Sequence, residues 1–123
     1  MAFKFENLKV WNRALNYSEE IHNLTLTFPK EELYILTSQI KRAADSVVLN
    51  ISEGCTGQSD KEYNRFIGYS MRSCVEVVAC LYLGKKRKLI NDSNFECLYK
   101  EAEEIIKMLQ GFRKALLANS LKL

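Results

Sequence analysis

Helix-breaking residues are scarce in this 123-residue chain, which contains one proline and five glycines. A β-rich domain needs many tight turns, and such turns are usually built from these two residues. The scarcity therefore favours a few long helices over a many-stranded fold. The length is sufficient for the core of one compact domain, and we expect a single domain over residues 1–123.

Targeting and membrane signals are also missing. No uninterrupted apolar run approaches the ~20 residues that a helix needs to cross a bilayer. The first residues, MAFKFENLKVW, lack the continuous apolar core of a signal peptide. The predictions are a cytoplasmic location and no membrane partner.

The four cysteines show no metal-binding or redox spacing. They follow one another at intervals of 19, 6 and 17 residues, which match neither a C-x-x-C pair nor a zinc knuckle. Cytoplasmic thiols stay reduced, so we expect structural thiols at Cys55, Cys74, Cys80 and Cys97. Cys55, just past a predicted helix end, is expected to be the most reactive of them.

Catalytic groups are equally scarce, because His22 is the only histidine. A Ser-His-Asp or Cys-His arrangement would depend on it, and a di-iron site needs two Glu-x-x-His motifs where this chain has one, Glu19-x-x-His22. The chain also lacks a phosphate-binding glycine loop and a dinucleotide-binding turn. The sequence therefore predicts no enzyme, no metal site and no cofactor.

Long stretches of helical periodicity are present instead. We predict helices at about 7–27, 29–54, 59–87 and 93–118. Because the linkers are short, neighbouring helices should pack antiparallel. The predicted fold is all-α, an antiparallel up-and-down four-helix bundle without strands.

Local signals mark the ends of these helices. Pro29 suits the first position of the second helix, and Gly54 suits a helix-terminating glycine at its end. The third and fourth helices are each predicted to open with a capping box, in which Ser59 or Ser93 is followed by a glutamate three residues later.

The second helix is apolar on more than one side. Val48 and Leu49 lie outside its main apolar seam, and a helix that is hydrophobic nearly all round is buried nearly all round. One four-helix bundle cannot bury every side of a helix, so we predict a homo-oligomer in which this pair meets another subunit. The alternative is that both are ordinary exposed apolar residues.

A polar stripe runs beside that seam. It consists of Gln39, Arg42, Ser46, Asn50 and Glu53. Polar groups at a buried border must be hydrogen-bonded, so the stripe is predicted to brace helices or subunits and to fix their register. The alternative is that Arg42 and Asn50 line a ligand or nucleic-acid surface.

Positive charge is concentrated on the third helix, although the whole chain carries only +3. At about 100° per residue, Lys61, Arg65 and Arg72 lie opposite its apolar face, and Tyr69 lies near them, where it could stack on a base. The end of the helix adds Lys85, Lys86, Arg87 and Lys88. A continuous basic face could track phosphates. The alternative is that the terminal cations complement the negative end of the helix dipole.

Several of these residues resemble the signature of a bacterial four-helix-bundle family, named for reading frames in intervening sequences of 23S ribosomal RNA. The similarity is carried by Leu8-x-Val10-Trp11, Phe28-Pro29, Arg42-Ala43, Asn50-Ile51-x-Glu53-Gly54 and Lys107-Met108-Leu109. The family is similar to the accessory protein of diversity-generating retroelements, which looks like the same bundle assembled as a pentamer. That relative works with a reverse transcriptase and binds nucleic acid through basic surfaces. The resemblance implies a homo-oligomer, with five subunits as the expected number.

These observations together predict a non-catalytic function. We expect an oligomeric bundle that binds structured RNA or DNA through the basic face of the third helix, as an accessory factor in a larger nucleoprotein complex. The alternative is a protein-interaction scaffold whose basic face meets an acidic partner and which has no nucleic-acid role. Salt dependence alone does not separate the two, because both contacts are electrostatic.

Overall fold

Four helices form the bundle in the computed structural model, which describes residues 2–56 and 59–121, with side chains as far as residue 118. They are α1 (Lys9–Thr25), α2 (Ser38–Gly54), α3 (Asp60–Lys86) and α4 (Asp92–Leu121). A 3-10 turn, Lys4–Asn7, precedes α1. The described residues contain no strand. The predicted all-α antiparallel four-helix bundle is confirmed.

The entry into α2 differs from the prediction. Pro29 is extended, with ψ at 158°, and is followed by a 3-10 turn, Lys30–Glu32, and a short π-helix, Leu33–Thr37. The prediction of an α-helix from residue 29 is therefore wrong for residues 29–37. The Glu32 carboxylate accepts a hydrogen bond from the Leu36 backbone N–H at 3.4 Å and forms an ion pair with Arg87 at 3.1 Å. These contacts hold the irregular entry against the end of α3.

The capping prediction is confirmed in part for the third helix and is wrong for the fourth. Ser59 is the N-cap of α3, and its hydroxyl oxygen accepts from the Glu62 backbone N–H at 3.1 Å. The Glu62 carboxylate does not complete a box, because it pairs with Arg65. At α4 the side-chain oxygen of Asn91 accepts from the Asn94 backbone N–H at 2.7 Å. The prediction that Ser93 opens this helix is wrong.

The glycine at the end of α2 is explained by close packing and not by the backbone conformation of a helix-terminating glycine, which the sequence had suggested. Gly54 is buried and is the last helical residue. A β-carbon built there would lie 2.8 Å from a ring carbon of Tyr63 and 3.2 Å from the β-carbon of Phe66. The missing side chain therefore allows the end of α2 to approach the start of α3.

The left-handed residue at a helix end is instead Lys88, with φ at 62°, the one positive φ of a non-glycine residue within 2–56 and 59–121. Its N–H donates to the Lys85 carbonyl at 3.0 Å, and the Leu89 N–H donates to the Gly84 carbonyl at 2.8 Å. This is a Schellman ending of α3 with lysine at the position that glycine usually occupies.

Lys88→Gly should therefore raise the free energy of unfolding by about 1 kcal/mol, because glycine removes the steric strain of a left-handed lysine. Urea unfolding monitored by circular dichroism measures the change. Lys88→Ala is the control, since it removes the same charge and keeps the β-carbon. Equal stabilities of the two variants would contradict the prediction.

One side of each helix forms the core. Its largest fully buried side chains include Tyr17, Ile21, Leu36, Ile40, Ile51, Ile67, Leu81, Ile105 and Leu109. Polar groups in this core are paired: the Ser70 hydroxyl donates to the Val47 carbonyl at 2.8 Å. At the rim of the core, Arg13 donates to both carboxylate oxygens of Glu101, at 2.6 and 3.0 Å. This pair joins α1 to α4.

All four cysteines are free thiols. Cys74 and Cys80 are buried in the bundle, and burial raises the pKa of Cys74 to about 12 and raises that of Cys80 as well. The Cys55 sulfur is half-buried and lies 2.8 Å from the Tyr63 hydroxyl. Cys97 is the exposed thiol, and the higher reactivity expected of Cys55 stays a prediction.

The third helix is more apolar than its uninterrupted runs indicate. It contains an 18-residue window of mean hydropathy 1.3, which makes it the one helix in the described residues that is long and apolar enough to cross a membrane. The core helix of a soluble protein meets the same criterion, so the window is weak support for a span. Only 33% of it is buried within the bundle, and α3 therefore presents apolar surface outward.

Candidate nucleic-acid interface

The structure divides the basic residues of α3 into two separate groups. Lys61, Arg65 and Arg72 are exposed along the N-terminal half of the helix. The second group consists of Lys85, Lys86, Arg87 and Lys88, all exposed at the C-terminal end. At 1.5 Å per residue, Arg72 and Lys86 are about 21 Å apart along the helix.

Apolar side chains occupy the outward surface between the two groups. Val75, Tyr82 and Leu83 are 57%, 55% and 47% exposed, and Ala79 is exposed beside them. The prediction of one continuous basic face is therefore wrong. Apolar residues on α3 extend beyond the buried seam onto the outer side of the helix, which the seam pattern alone does not reveal.

The C-terminal basic group makes local contacts. The Lys85 ammonium lies 3.6 Å from the Asp92 carboxylate and 4.5 Å from the centre of the Phe95 ring. Arg87 pairs with Glu32. These contacts join the end of α3 to the start of α4 and to the 3-10 turn Lys30–Glu32, and the cations also lie where they complement the helix dipole.

The N-terminal basic group borders a groove between α3 and α4. The groove has a volume of about 550 Å³, and Arg65 and Arg72 of α3 line it together with Arg113 of α4. Gly68 lies between them and leaves a gap in the helix surface: a β-carbon built there would meet nothing closer than the Arg113 guanidinium, at 3.8 Å. Among the described residues, no acidic side chain lines the groove.

The three guanidinium groups are held differently. Arg113 donates through Nε to the Asn64 side-chain oxygen at 2.8 Å, so its terminal nitrogens are not used in this bond. Arg65 pairs with Glu62 at the edge of the groove. Arg72 forms no ion pair with any residue that the structure describes. The groove thus carries positive charge that the surrounding side chains neutralise only in part.

Part of the lining of the groove is apolar, and we call this part its apolar floor. Met71, Val75 and Ile106 contribute the aliphatic surface. The Tyr69 ring, 38% exposed, meets the Phe66 ring edge-on at 5.7 Å between centroids. The groove therefore combines cations with surface that water solvates poorly.

Arg113 is the site residue that the periodicity of α3 could not reveal, because it belongs to another helix. The signal that predicts it is the antiparallel hairpin. Positions that face each other across α3 and α4 have numbers that add up to about 177, as Asn64 does with Arg113 and Cys74 with Ala102. The short turn between the helices fixes this sum.

The residues of the polar stripe on α2 differ in the contacts that their side chains make. The Gln39 amide donates to the Glu76 carboxylate and joins α2 to α3. The Asn50 amide donates to the Ser46 carbonyl at 2.8 Å within its own helix. Arg42 and Glu53 are exposed and make no ion pair with the described residues. Of the five stripe residues, Gln39 is the one whose side chain bridges two helices.

The apolar pair on α2 is divided between core and surface. Val48 is 8% exposed and packs inside the bundle, whereas Leu49 is 60% exposed. The expectation that Val48 faces a second subunit is therefore wrong, because one step of about 100° along the helix turns it toward the core. Leu49 remains as exposed apolar surface.

The single histidine belongs to a polar cluster between α1 and α2. The Ser18 hydroxyl donates to Asp45 Oδ1 at 2.6 Å, and His22 Nε2 lies 2.9 Å from the same oxygen. In a catalytic triad the histidine stands between the serine and the carboxylate, and here the carboxylate stands between the other two. Within residues 2–56 and 59–121, no group of three or more His, Cys, Asp or Glu side chains could hold a metal ion.

Comparison with known proteins places this bundle in a family. No curated protein matches the chain. The fold is similar to the crystal structure of a protein of unknown function from the S23 ribosomal protein family of Bacteroides thetaiotaomicron, with a TM-score of 0.77 and 20% identity over 85% of this chain and 98% of that one. Residues 6–111 match the family model of the 23S rRNA-intervening sequence protein. The chain belongs to the family of 23S rRNA-intervening sequence proteins.

Proposed function

We propose that the protein is a non-catalytic accessory factor that binds structured RNA or DNA through the groove between α3 and α4. The observation that carries this proposal is the convergence of Arg65, Arg72 and Arg113, from two helices, on one groove without an acidic side chain in its described lining. Exposed Lys61 extends the same positive surface along α3.

The side-chain chemistry favours a phosphate ligand. Guanidinium groups bind phosphate oxygens with two parallel hydrogen bonds, which gives both affinity and orientation. Phosphate contacts of this kind release counterions from the nucleic acid and make binding weaken with salt. They carry no sequence information. We therefore expect affinity that depends on charge and shape more than on sequence.

The first test measures binding of fluorescent structured RNA and duplex DNA at about 50 and 200 mM salt. The variant Arg65→Gln, Arg72→Gln, Arg113→Gln should bind about tenfold more weakly or worse at the lower salt, with a salt slope smaller by about two to three. The matched control, Lys85→Gln, Lys86→Gln, Lys88→Gln, removes three charges from the other end of α3.

A comparison of the arginine variant with the lysine control distinguishes the possible outcomes. An equal loss of affinity in both variants would contradict the groove as the site. Undetectable binding of both nucleic acids at about 50 mM salt would contradict the function itself. The scaffold alternative would then be favoured by a defined acidic partner that is retained in a pull-down after nuclease treatment.

We further propose that the protein self-associates, with five subunits as the expected number. Support comes from the outward apolar surface of α2 and α3, where Leu49 is 60% and Leu83 is 47% exposed. Leu49→Lys with Leu83→Lys should shift the mass measured by light scattering to that of the monomer, because lysines in an apolar interface are desolvated without a partner. A monomeric wild-type protein at micromolar concentration would contradict self-association.

A further inference from the structure

We propose that the groove between α3 and α4 selects unpaired nucleotides, so that a base lies on its apolar floor while the adjoining phosphates contact the arginines. This inference rests on the proposed nucleic-acid binding and adds which part of the nucleic acid enters the site. The volume of about 550 Å³ is within the ~300–1,000 Å³ of sites that hold small organic groups. Contacts to phosphate alone do not need a recess of that size.

The floor supplies the first argument. Met71, Val75 and Ile106 offer aliphatic surface that gains nothing from a phosphate and gains free energy when a flat, weakly solvated group covers it. A base in a duplex is stacked on its neighbours and shows only its edges in the grooves. It reaches a floor of this kind only after it leaves the stack. The apolar floor therefore matches an unpaired base.

Tyr69 supplies the second argument. Its ring is partly exposed and is fixed from the side by Phe66 at 5.7 Å, with the Arg65 guanidinium 5.9 Å from its centre. A ring held in this way loses little freedom when a base stacks on it. Aromatic side chains near a cationic backbone track are the usual basis of single-strand binding.

The arginines supply the third argument, because they stand on both helices that form the groove. Arg65 and Arg72 are two turns apart on α3, about 10.5 Å along its axis, and Arg113 belongs to α4. A strand that places a base over Gly68 has its backbone between these charges. Binding that used only the outer ridge of α3 would leave Arg113 without a contact to the nucleic acid.

Gly68→Leu tests the inference without changing any charge. The added side chain fills the recess, and the space at Gly68 accepts a β-carbon at ordinary contact distance, so the helix should remain intact. Gly111→Leu is the matched control on α4, where a β-carbon would meet nothing within 4 Å. Tyr69→Leu removes the ring and keeps an apolar side chain.

The probes are a fluorescent single-stranded oligouridylate, a blunt RNA duplex of the same length, and uridine monophosphate as a free nucleotide. The single strand should bind about tenfold more tightly than the duplex. Gly68→Leu and Tyr69→Leu should each weaken single-strand binding about fivefold or more and leave duplex binding unchanged, and Gly111→Leu should alter neither.

Three results would overturn the inference. They are duplex binding as tight as that of the single strand, unaltered single-strand binding in Gly68→Leu, and uridine monophosphate binding as tightly as the oligonucleotide. Under the first two, salt-dependent binding that is lost in the triple arginine variant would leave the proposed function standing. Undetectable binding of both polymers would instead remove the proposed function.

Discussion

Tyr17→Ala is expected to lower the free energy of unfolding by about 3–5 kcal/mol, the range observed when a buried aromatic side chain is truncated. Tyr17 is 1% exposed, and its hydroxyl donates to the Leu98 carbonyl of α4 at 2.9 Å. Truncation would leave a cavity between α1 and α4 in addition to removing this hydrogen bond.

Two further variants divide this effect into its parts. Tyr17→Phe keeps the ring and removes the hydroxyl, so it should lower the free energy by only about 1 kcal/mol, the usual net value of one hydrogen bond. Leu15→Ala, on the same helix but at a side chain that is 44% exposed, controls for the general effect of alanine in α1. Urea unfolding of all three gives the comparison. A loss in Tyr17→Ala no larger than that in Leu15→Ala would contradict the packing described here.

Alkaline pH should remove a similar amount of stability. Burial raises the pKa of Cys74 from 9.0 to about 12 and also raises the pKa of Tyr17 above its ordinary 10.0. Both groups therefore keep their protons in the folded protein at a pH where the unfolded chain releases them. The stability that they contribute is complete below about pH 9 and is lost as the pH rises further.

The expected loss at about pH 11 is about 3 kcal/mol from Cys74 and about 1 kcal/mol from Tyr17, because each pH unit above the unfolded pKa counts for about 1.36 kcal/mol. Urea unfolding between about pH 8 and pH 11, with a reductant present, measures the slope. Cys74→Ala lowers the stability at every pH but should lose less of it above about pH 9. An identical slope in wild type and Cys74→Ala would contradict the assignment.

The helices could be predicted from the sequence because their signals are local and repeated. Apolar periodicity and the scarcity of glycine and proline point to the same four helices, and Ser59 marks the start of α3. The entry into α2 could not be predicted in this way. Residues 33–37 form a π-helix rather than an α-helix. The contacts of Glu32 at the start of this segment include the distant Arg87, which local patterns do not indicate.

The site was predictable only as far as one helix can define it. Lys61, Arg65 and Arg72 are related by α3 periodicity alone, whereas the groove also needs Arg113 from α4 and the gap at Gly68. Val48 and Leu49 show the limit on the apolar side. The two residues have similar side chains, and their exposures of 8% and 60% depend on which neighbouring helices lie beside them.

The tight contact at the far end of the α3–α4 hairpin has a consequence for the groove. A β-carbon at Gly84 would lie 2.4 Å from the terminal carbon of Ile90, so these two residues interlock where the chain reverses. The interlock sets how far α4 is advanced along α3, and a slip of one residue would rotate Arg113 by about 100° away from Gly68. A glycine that lies about 24 Å from Gly68 along α3 thus helps to set the position of Arg113 beside the groove.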